Sequence, residues 1–270
     1  MKKLIMLGTG NAMVTKVYNT CFLIELPDGE LFMTDAGGGN GILRQLELVK
    51  ADYRRIHHLY VTHGHTDHII GVVWMMRKIA SLMNNGKYNG QLHIYCHDVV
   101  RDMLLTMCQM MLKKKDFDNI GQNILVHEVK DGERIDLPQV EITAFDIFST
   151  KAKQFGYRAR FKDDNLVLAC LGDEPYNEKC QQYVQGADWL LSEAFCKYDD
   201  RDKFKPYEKH HSTVKEAGEL AQQLGIKNLV LYHTEDKTIA TRKQEYTAEC
   251  QQYFKGSVYV PEDLDIIALK

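Results

Sequence analysis

The apolar residues of the first half fall in short blocks bounded by polar and glycine-containing turns. KLIMLG, TCFLIEL and ELFMTD have the length and content of strands, the last two joined by the turn PDGE. GILRQLELVK shifts to helical spacing, and RRIHHLYVT returns to a strand. TDHIIGVVWMMRKIASLMNN predicts a long helix that opens at Thr66, whose hydroxyl can cap it, and stops at Asn-Asn-Gly. After the strand QLHIYC comes DVVRDMLLTMCQMMLKKK, a methionine-rich helix suited to a core or a subunit contact. NILVHEV, VEITAFDIF, FGYRARF and NLVLACLGD read as strands, and the final third alternates helix and strand from EKCQQYVQ to LDIIAL. Many strands with helices between them predict an α/β protein of two sheets, each covered by helices on its outer face. No Pro/Ser-rich linker interrupts the pattern, so residues 1–270 read as a single domain with a helical insertion near 97–120.

Charge narrows the partners. The net charge is −3, which supplies no overall positive field to recruit nucleic acid or an anionic membrane. No apolar run has the length needed to cross a bilayer, and MKKLIMLGTGNAM is too short for a signal-peptide core. The seven cysteines are odd in number, scattered and without a CxxC, which predicts reduced, mostly buried thiols and a cytoplasmic location.

The chemistry gathers at residues 62–68, THGHTDH. Residues two apart at a strand end project to the same side, so His63 and His65 can grip one ion. Asp67 and His68 sit where the chain turns into the helix and can face a second. Neutral imidazole and carboxylate are the ligand types of zinc, manganese and iron. A closed structural zinc site usually includes cysteine, and none lies near this cluster, so open positions for water are expected.

THGHTDH resembles the HxHxDH signature of the metallo-β-lactamase superfamily, and the resemblance continues in order along the chain. LGTGNAM and LFMTDAGGG are similar to that superfamily's opening strands and Asp-Gly turn, LACLGDEP places Asp173 at a strand end, and NLVLYHTED does the same for His233. Within the superfamily the likeness is to ribonuclease Z and its phosphodiesterase relatives. DWLLSEAF carries Glu193 at the position of their HEAT-type segment, KHHSTVKEAGELA carries His211 at their HSTA-type segment, and FGYRARF is similar to their GYR strand. The resemblance implies an αββα sandwich of two mixed sheets with helices on the outer faces and metals at the strand ends. It assigns His63 and His65 to one ion, Asp67, His68 and His233 to another, and Asp173 to both. It gives Asp67, Glu193 and His211 to proton transfer, with His211 as the donor to the leaving group. Glu193 and His211 could instead serve only to orient Asp67.

Two departures qualify that reading. The family places a further histidine before the GYR strand, where this chain reads AFDIFSTKAKQFGYR, with Phe148 or Thr150 at the position. His57, His58, His93, His97, His127 and His210 are the candidates to replace it. The long basic arm with which short ribonuclease Z enzymes grip transfer RNA is also missing: only KDDNLVLACLG separates Phe161 from Asp173. The expectation is therefore a metallo-hydrolase using one or two divalent ions, zinc first, with manganese or iron as alternatives. Its substrate would be a phosphodiester or another small anionic ester, not structured nucleic acid, and a homodimer is expected. The alternatives are a hydrolase of a thioester, lactone or sulfate ester, and a non-catalytic binding or sensing protein on a one-metal scaffold.

Overall fold

The short apolar blocks become strands in the predicted order. The computed structural model describes residues 1–270. Its chain divides into two units, Met1–Gly8 with Tyr18–Val129 and Asp263–Lys270, and Thr9–Val17 with Lys130–Glu262. The first unit holds β1 (Lys3–Gly8), β2 (Cys21–Glu25), β3 (Leu31–Thr34), β4 (His58–Tyr60), β5 (Leu92–Cys96) and β6 (Ile124–Glu128). Its helices are α1 (Gly41–Leu48), α2 (Thr66–Asn84), α3 (Asp98–Met111) and the single turn α4 (Lys114–Phe117). The second unit holds β7 (Arg134–Asp136), β8 (Val140–Asp146), β9 (Phe155–Phe161), β10 (Val167–Cys170), β11 (Trp189–Glu193), β12 (Asn228–Tyr232) and β13 (Ser257–Tyr259). Its helices are α5 (Gln181–Val184), α6 (Arg201–Phe204), α7 (Val214–Gln223) and α8 (Arg242–Cys250). The chain then returns to the first unit for β14 (Ile266–Ala268).

Each unit is built on one mixed, 7-stranded sheet, in the orders β14-β1-β2-β3-β4-β5-β6 and β13-β12-β11-β10-β9-β8-β7. In the first, β14, β1, β2 and β3 pair antiparallel, and β3, β4, β5 and β6 pair parallel. In the second, β7 to β10 pair antiparallel and β10 to β13 parallel. The same succession is thus used twice, although no repeat is visible in the residues. Two mixed sheets with helices agree with the α/β expectation.

Helices cover one face of each sheet because their apolar stripes have nowhere else to go. Leu23, Met33, Leu59 and Ile94 of the first sheet share a core with Val72, Met76 and Ile79 of α2. Leu190, Leu229 and Leu231 of the second share one with Val214, Ala217 and Ala221 of α7 and with Tyr246 of α8. Each such side chain, fully buried, contributes about 1.5–3 kcal/mol. The opposite faces are buried as well, through Phe22, Phe32 and Tyr60 in one sheet and Tyr157, Phe161 and Leu191 in the other. Burial on both faces explains why these strands read as continuous apolar blocks without alternation.

The opening of α2 differs from expectation in one respect. Thr66 is the first helical residue, and His65 occupies the cap position with extended backbone (φ −69, ψ 149) and no side-chain cap bond. The His65 carbonyl accepts from the amides of both His68 and Ile69, so the backbone starts the helix without a hydroxyl cap. The helix stops where Asn-Asn-Gly predicted, with Gly86 left-handed at φ 63. The methionine-rich segment breaks at Leu112, which is extended (ψ 148). No helix is long and apolar enough to cross a membrane. All seven cysteines are buried and unpaired.

Gly71 of α2 is required by a close approach. A Cβ there would lie 1.8 Å from the Ala36 carbonyl oxygen, and the Gly71 amide donates to the Gly37 carbonyl at 2.8 Å. Gly71→Ala must push the helix off the Asp35–Gly37 turn, at a cost on the order of 3 kcal/mol. Thermal melting should show a lowered midpoint and weaker metal retention together.

A second consequence concerns acid. His58 of β4 pairs with His93 of β5, and their rings stack with each other and with Tyr95. Burial, and then the neighbouring His93, His57 and His127, hold the His58 pKa down to about 4, from an ordinary 6.5. The unfolded chain therefore takes up this proton first as pH falls. Stability should decline between those two values by about 1.4 kcal/mol per pH unit, roughly 3 kcal/mol in all. Urea unfolding of His58→Phe across that window should show a correspondingly shallower pH slope.

Candidate metal centre

In the first unit the chain leaves the parallel strands β3 and β4 on the same side, and the chemistry follows at once. Asp35 comes directly after β3 with left-handed backbone (φ 52). Its Oδ1 accepts from the Thr62 amide at 2.8 Å, and its Oδ2 accepts from the Thr62 hydroxyl at 2.7 Å and from His68 Nδ1 at 2.8 Å. These bonds decide tautomers. With its Nδ1 donating to Asp35, the neutral His68 ring keeps a lone pair on Nε2. The Thr62 hydroxyl has spent its proton on Asp35, so His63 Nδ1, 3.0 Å away, donates to Thr62 Oγ1 and also keeps its lone pair on Nε2.

His63 Nε2 then faces His65 Nδ1 at 2.9 Å, and the His63 and His68 ring centres are 4.1 Å apart. Asp67 Oδ2 lies 3.4 Å from His68 Nε2. Asp67, His63 and His68 are all buried. Burial opposes a charged His68, but the Asp67 and Asp35 carboxylates outweigh it and raise its proton affinity well above the ordinary value. The positive charge that these carboxylates favour is the charge a divalent ion would bring. The donor set therefore fits a metal.

In the second unit three parallel strands end together. β10 runs into Asp173, β11 ends in Glu193, and β12 runs into His233, again left-handed (φ 57). Asp173 Oδ2 lies 3.5 Å from His233 Nε2. The ligating atoms of Glu193, His211 and His233 all fall within 4.8 Å of one another. His211 comes from the turn before α7, its ring stacked on Phe195 at 5.0 Å. Glu193 accepts from the Ser212 amide with Oε1. Its buried Oε2 and the buried His211 Nδ1 have no hydrogen-bond partner and lie 3.5 Å apart, a pair that a small movement would close. His211 also lines three cavities, of about 340, 330 and 280 Å³. Tyr207 and Glu216 line the first, Phe204 and Lys209 the second, and Thr150 and His210 the third.

The histidine lacking before the GYR strand has an identifiable neighbour. Thr150 Oγ1 meets His210 Nδ1 at 2.8 Å, whereas Phe148 lies exposed beneath the Lys179 ammonium. Of the other candidates, His57 bonds Tyr88, His97 caps α3, and His58, His93 and His127 lie together on β4 to β6. β9 and β10 form an antiparallel hairpin with Phe161 N–H to Leu166 O closing its turn, so no arm extends there. Sequence reasoning missed the roles of Asp35 and Thr62. The only signal was the run Asp35-Ala36-Gly37-Gly38-Gly39, which read as a close backbone approach near the metals or as a tight turn, not as an orienting carboxylate.

The family model described as "Anti-Pycsar protein Apyc1" matches residues 2–256. The chain belongs to the Apyc1 family. Among its relatives are the ribonucleases Z of Pyrococcus abyssi and Methanothermobacter thermautotrophicus, each 25% identical over 100% of this chain and 97% of that protein. Among solved structures, the metallo-β-lactamase fold protein YhfI from Bacillus subtilis superposes with a TM-score of 0.77 at 18% identity, covering 98% of both chains. The short form of human tRNase Z gives 0.77 at 21%, covering 99% of both. A diphosphatase from the PhnP family gives 0.76 at 17%, covering 100% of this chain and 98% of that one. This Apyc1-family chain has the metallo-β-lactamase fold.

Asp35→Ala should release both imidazole tautomers and the Thr62 hydroxyl at once. Removing such an orienting partner typically costs 10–100-fold in metal affinity. Competition against a chromogenic chelator measures it, with Asp35→Asn, which can still accept, falling between.

Proposed function

We propose that this chain is a metal-dependent hydrolase that splits a phosphodiester or another small anionic ester. The observation that carries the reading is the Asp35 carboxylate, which accepts from His68 Nδ1 and from the Thr62 hydroxyl that His63 Nδ1 meets, so that both rings keep Nε2 as the ligand atom. His63, His65, Asp67, His68, Asp173 and His233 would hold the metal, one ion or two, with zinc the first choice and manganese or iron alternatives. A bound divalent ion supplies Lewis acidity, lowering the pKa of water and offsetting anionic charge. The ribonuclease Z relatives and the PhnP-family diphosphatase, by their names, support phosphorus esters as the substrate class.

The remaining work falls to the chain's own groups. His211 delivers a proton to the departing oxygen: an imidazole is a general acid of the right kind, and three cavities open onto it. Closing the 3.5 Å gap between Glu193 Oε2 and His211 Nδ1 would hold the ring, so that the proton leaves from Nε2. The stacked Phe195 ring keeps that edge in one plane. The second cavity places Lys209 near the same residue, a cation suited to an anionic ester, and the Phe204 ring beside it offers an apolar wall. The short β9–β10 hairpin and the acidic net charge favour a small substrate over structured RNA. The exposed methionines of α3, Met103, Met110 and Met111, support a homodimer contact.

Metal-loaded protein should hydrolyse bis-p-nitrophenyl phosphate, and His63→Ala or Asp173→Ala should abolish turnover. Wild-type rates in both variants, with bound metal reduced, would refute the reading. His211→Ala should cost little with p-nitrophenolate, which leaves without a proton. With an alkoxide leaving group it should cost about 10²–10⁴ in kcat.

A further inference from the structure

His211 sits at the end of a turn that does not hold its shape by itself. Between α6 and α7 the backbone is left-handed at two residues other than glycine, Lys205 (φ 53) and His210 (φ 57). Such conformations persist only where surrounding contacts impose them. The Lys209 and His211 amides donate to the Pro206 carbonyl, and the His210 amide to the Tyr207 carbonyl, but these bonds lie inside the turn and move with it. Two hydrogen bonds tie residues 205–210 to elements other than α6. One joins Thr150 Oγ1 to His210 Nδ1 at 2.8 Å, and Thr150 belongs to the loop between β8 and β9. The other runs from the Tyr207 hydroxyl to Glu216 Oε1 at 2.7 Å, and Glu216 stands in the first turn of α7.

The same carboxylate holds the downstream end. Glu216 Oε2 accepts from the Thr213 amide at 2.8 Å and from the Thr213 hydroxyl at 2.9 Å, and Thr213 is the N-terminal cap of α7. One side chain therefore closes the segment 207–213 from both ends, with His211 inside it. We propose that Tyr207 and Glu216 are positioning residues, a clasp that keeps the His211 imidazole on Phe195 and aimed at the leaving group. The inference rests on the hydrolase reading above and adds two residues to it. Tyr207 lines two of the three cavities at His211, yet it acts through the histidine and not on substrate, because its hydroxyl proton is committed to Glu216. Burial, and then the hydrogen bond to Glu216, raise the pKa of the phenol, so it keeps that proton and goes on donating. The position of the imidazole can be read without substrate. Its ring lies 5.0 Å from that of Phe195 and 11° from parallel, so the phenyl ring current shifts the His211 ring protons upfield.

The test compares zinc-loaded wild type with Tyr207→Phe, which removes one hydroxyl and leaves Glu216 on the α7 cap. Its readouts are NMR of the His211 ring protons, and kcat and KM for diesters with an alkoxide or a p-nitrophenolate leaving group. Tyr207→Phe should shift or broaden the His211 signals and lower kcat for the alkoxide by roughly 10–10²-fold. KM, zinc content and the p-nitrophenolate rate should change little. Combined with His211→Ala, the substitution should have no further effect on the alkoxide rate. Glu216→Gln should act in the same direction, and where it folds poorly Tyr207→Phe decides alone. Unchanged His211 signals in Tyr207→Phe would overturn the clasp at any level of activity. Signals that move while both leaving groups lose rate equally, or while KM rises and kcat holds, would also overturn it. A wild type that splits no diester would instead sink the hydrolase reading, and the clasp would then stand or fall on the ring signals.

Discussion

An imidazole binds a cation only through a nitrogen that carries no proton, so any metal centre built from histidines must first decide where each proton sits. Here one buried carboxylate decides it for two rings. Asp35 takes the Nδ1 proton of His68 directly and sets that of His63 through Thr62, using three acceptor contacts to do so. The surrounding structure is arranged to keep that carboxylate in place. Asp35 itself is held in left-handed backbone, and its amide donates to the Tyr60 carbonyl at 2.9 Å. The next residue donates to the His68 carbonyl at 3.1 Å, and Gly71 admits the Asp35–Gly37 turn against α2 without a side chain. Loss of the Thr62 amide contact would leave the buried Asp35 Oδ1 without a donor, whereas Oδ2 is shared by the Thr62 hydroxyl and His68.

Topology solves the companion problem of bringing ligands from distant parts of a chain to one end of a sheet. Parallel strands point their carboxyl ends the same way, so residues that follow them emerge side by side. The first sheet uses β3 and β4 for Asp35 and for His63 to His68. The second uses β10, β11 and β12 for Asp173, Glu193 and His233. Each sheet switches from antiparallel to parallel pairing at the strand that delivers its first aspartate, β3 in one and β10 in the other. Both sheets also place a left-handed residue directly after a parallel strand, Asp35 after β3 and His233 after β12.

How much of this was legible follows from how local each signal is. The THGHTDH cluster and the Asn-Asn-Gly stop are encoded within a few residues and were read directly, whereas Asp173 and His233 were picked out only by the family resemblance. The Asp35 hub was not, because its meaning lies in a pairing with Thr62 and His68 across the sheet that no spacing reveals. The expected Thr66 cap failed for a related reason: the preceding histidine already begins the helix with its carbonyl. Neither the meeting of Thr150 with His210 nor the ring array of His58, His93 and His127 has a sequence signature. The first depends on a turn 60 residues away, and the second on the register of three parallel strands.

The start of α2 adds a last constraint on what the centre can accept. A helix N-terminus carries partial positive charge, which by itself would repel a cation brought beside His65, Asp67 and His68. Asp67 in the first turn offsets that repulsion and at the same time offers a ligand. Above the turn, Met103 of the methionine-rich helix approaches so closely that a Cβ on Gly64 would lie 2.6 Å from its sulfur. The histidine loop thus carries a methionine from α3 directly against Gly64. Asp35 adds a second carboxylate behind His68, so the two acids and not the helix end set the sign of the local field, and the raised proton affinity of His68 records it.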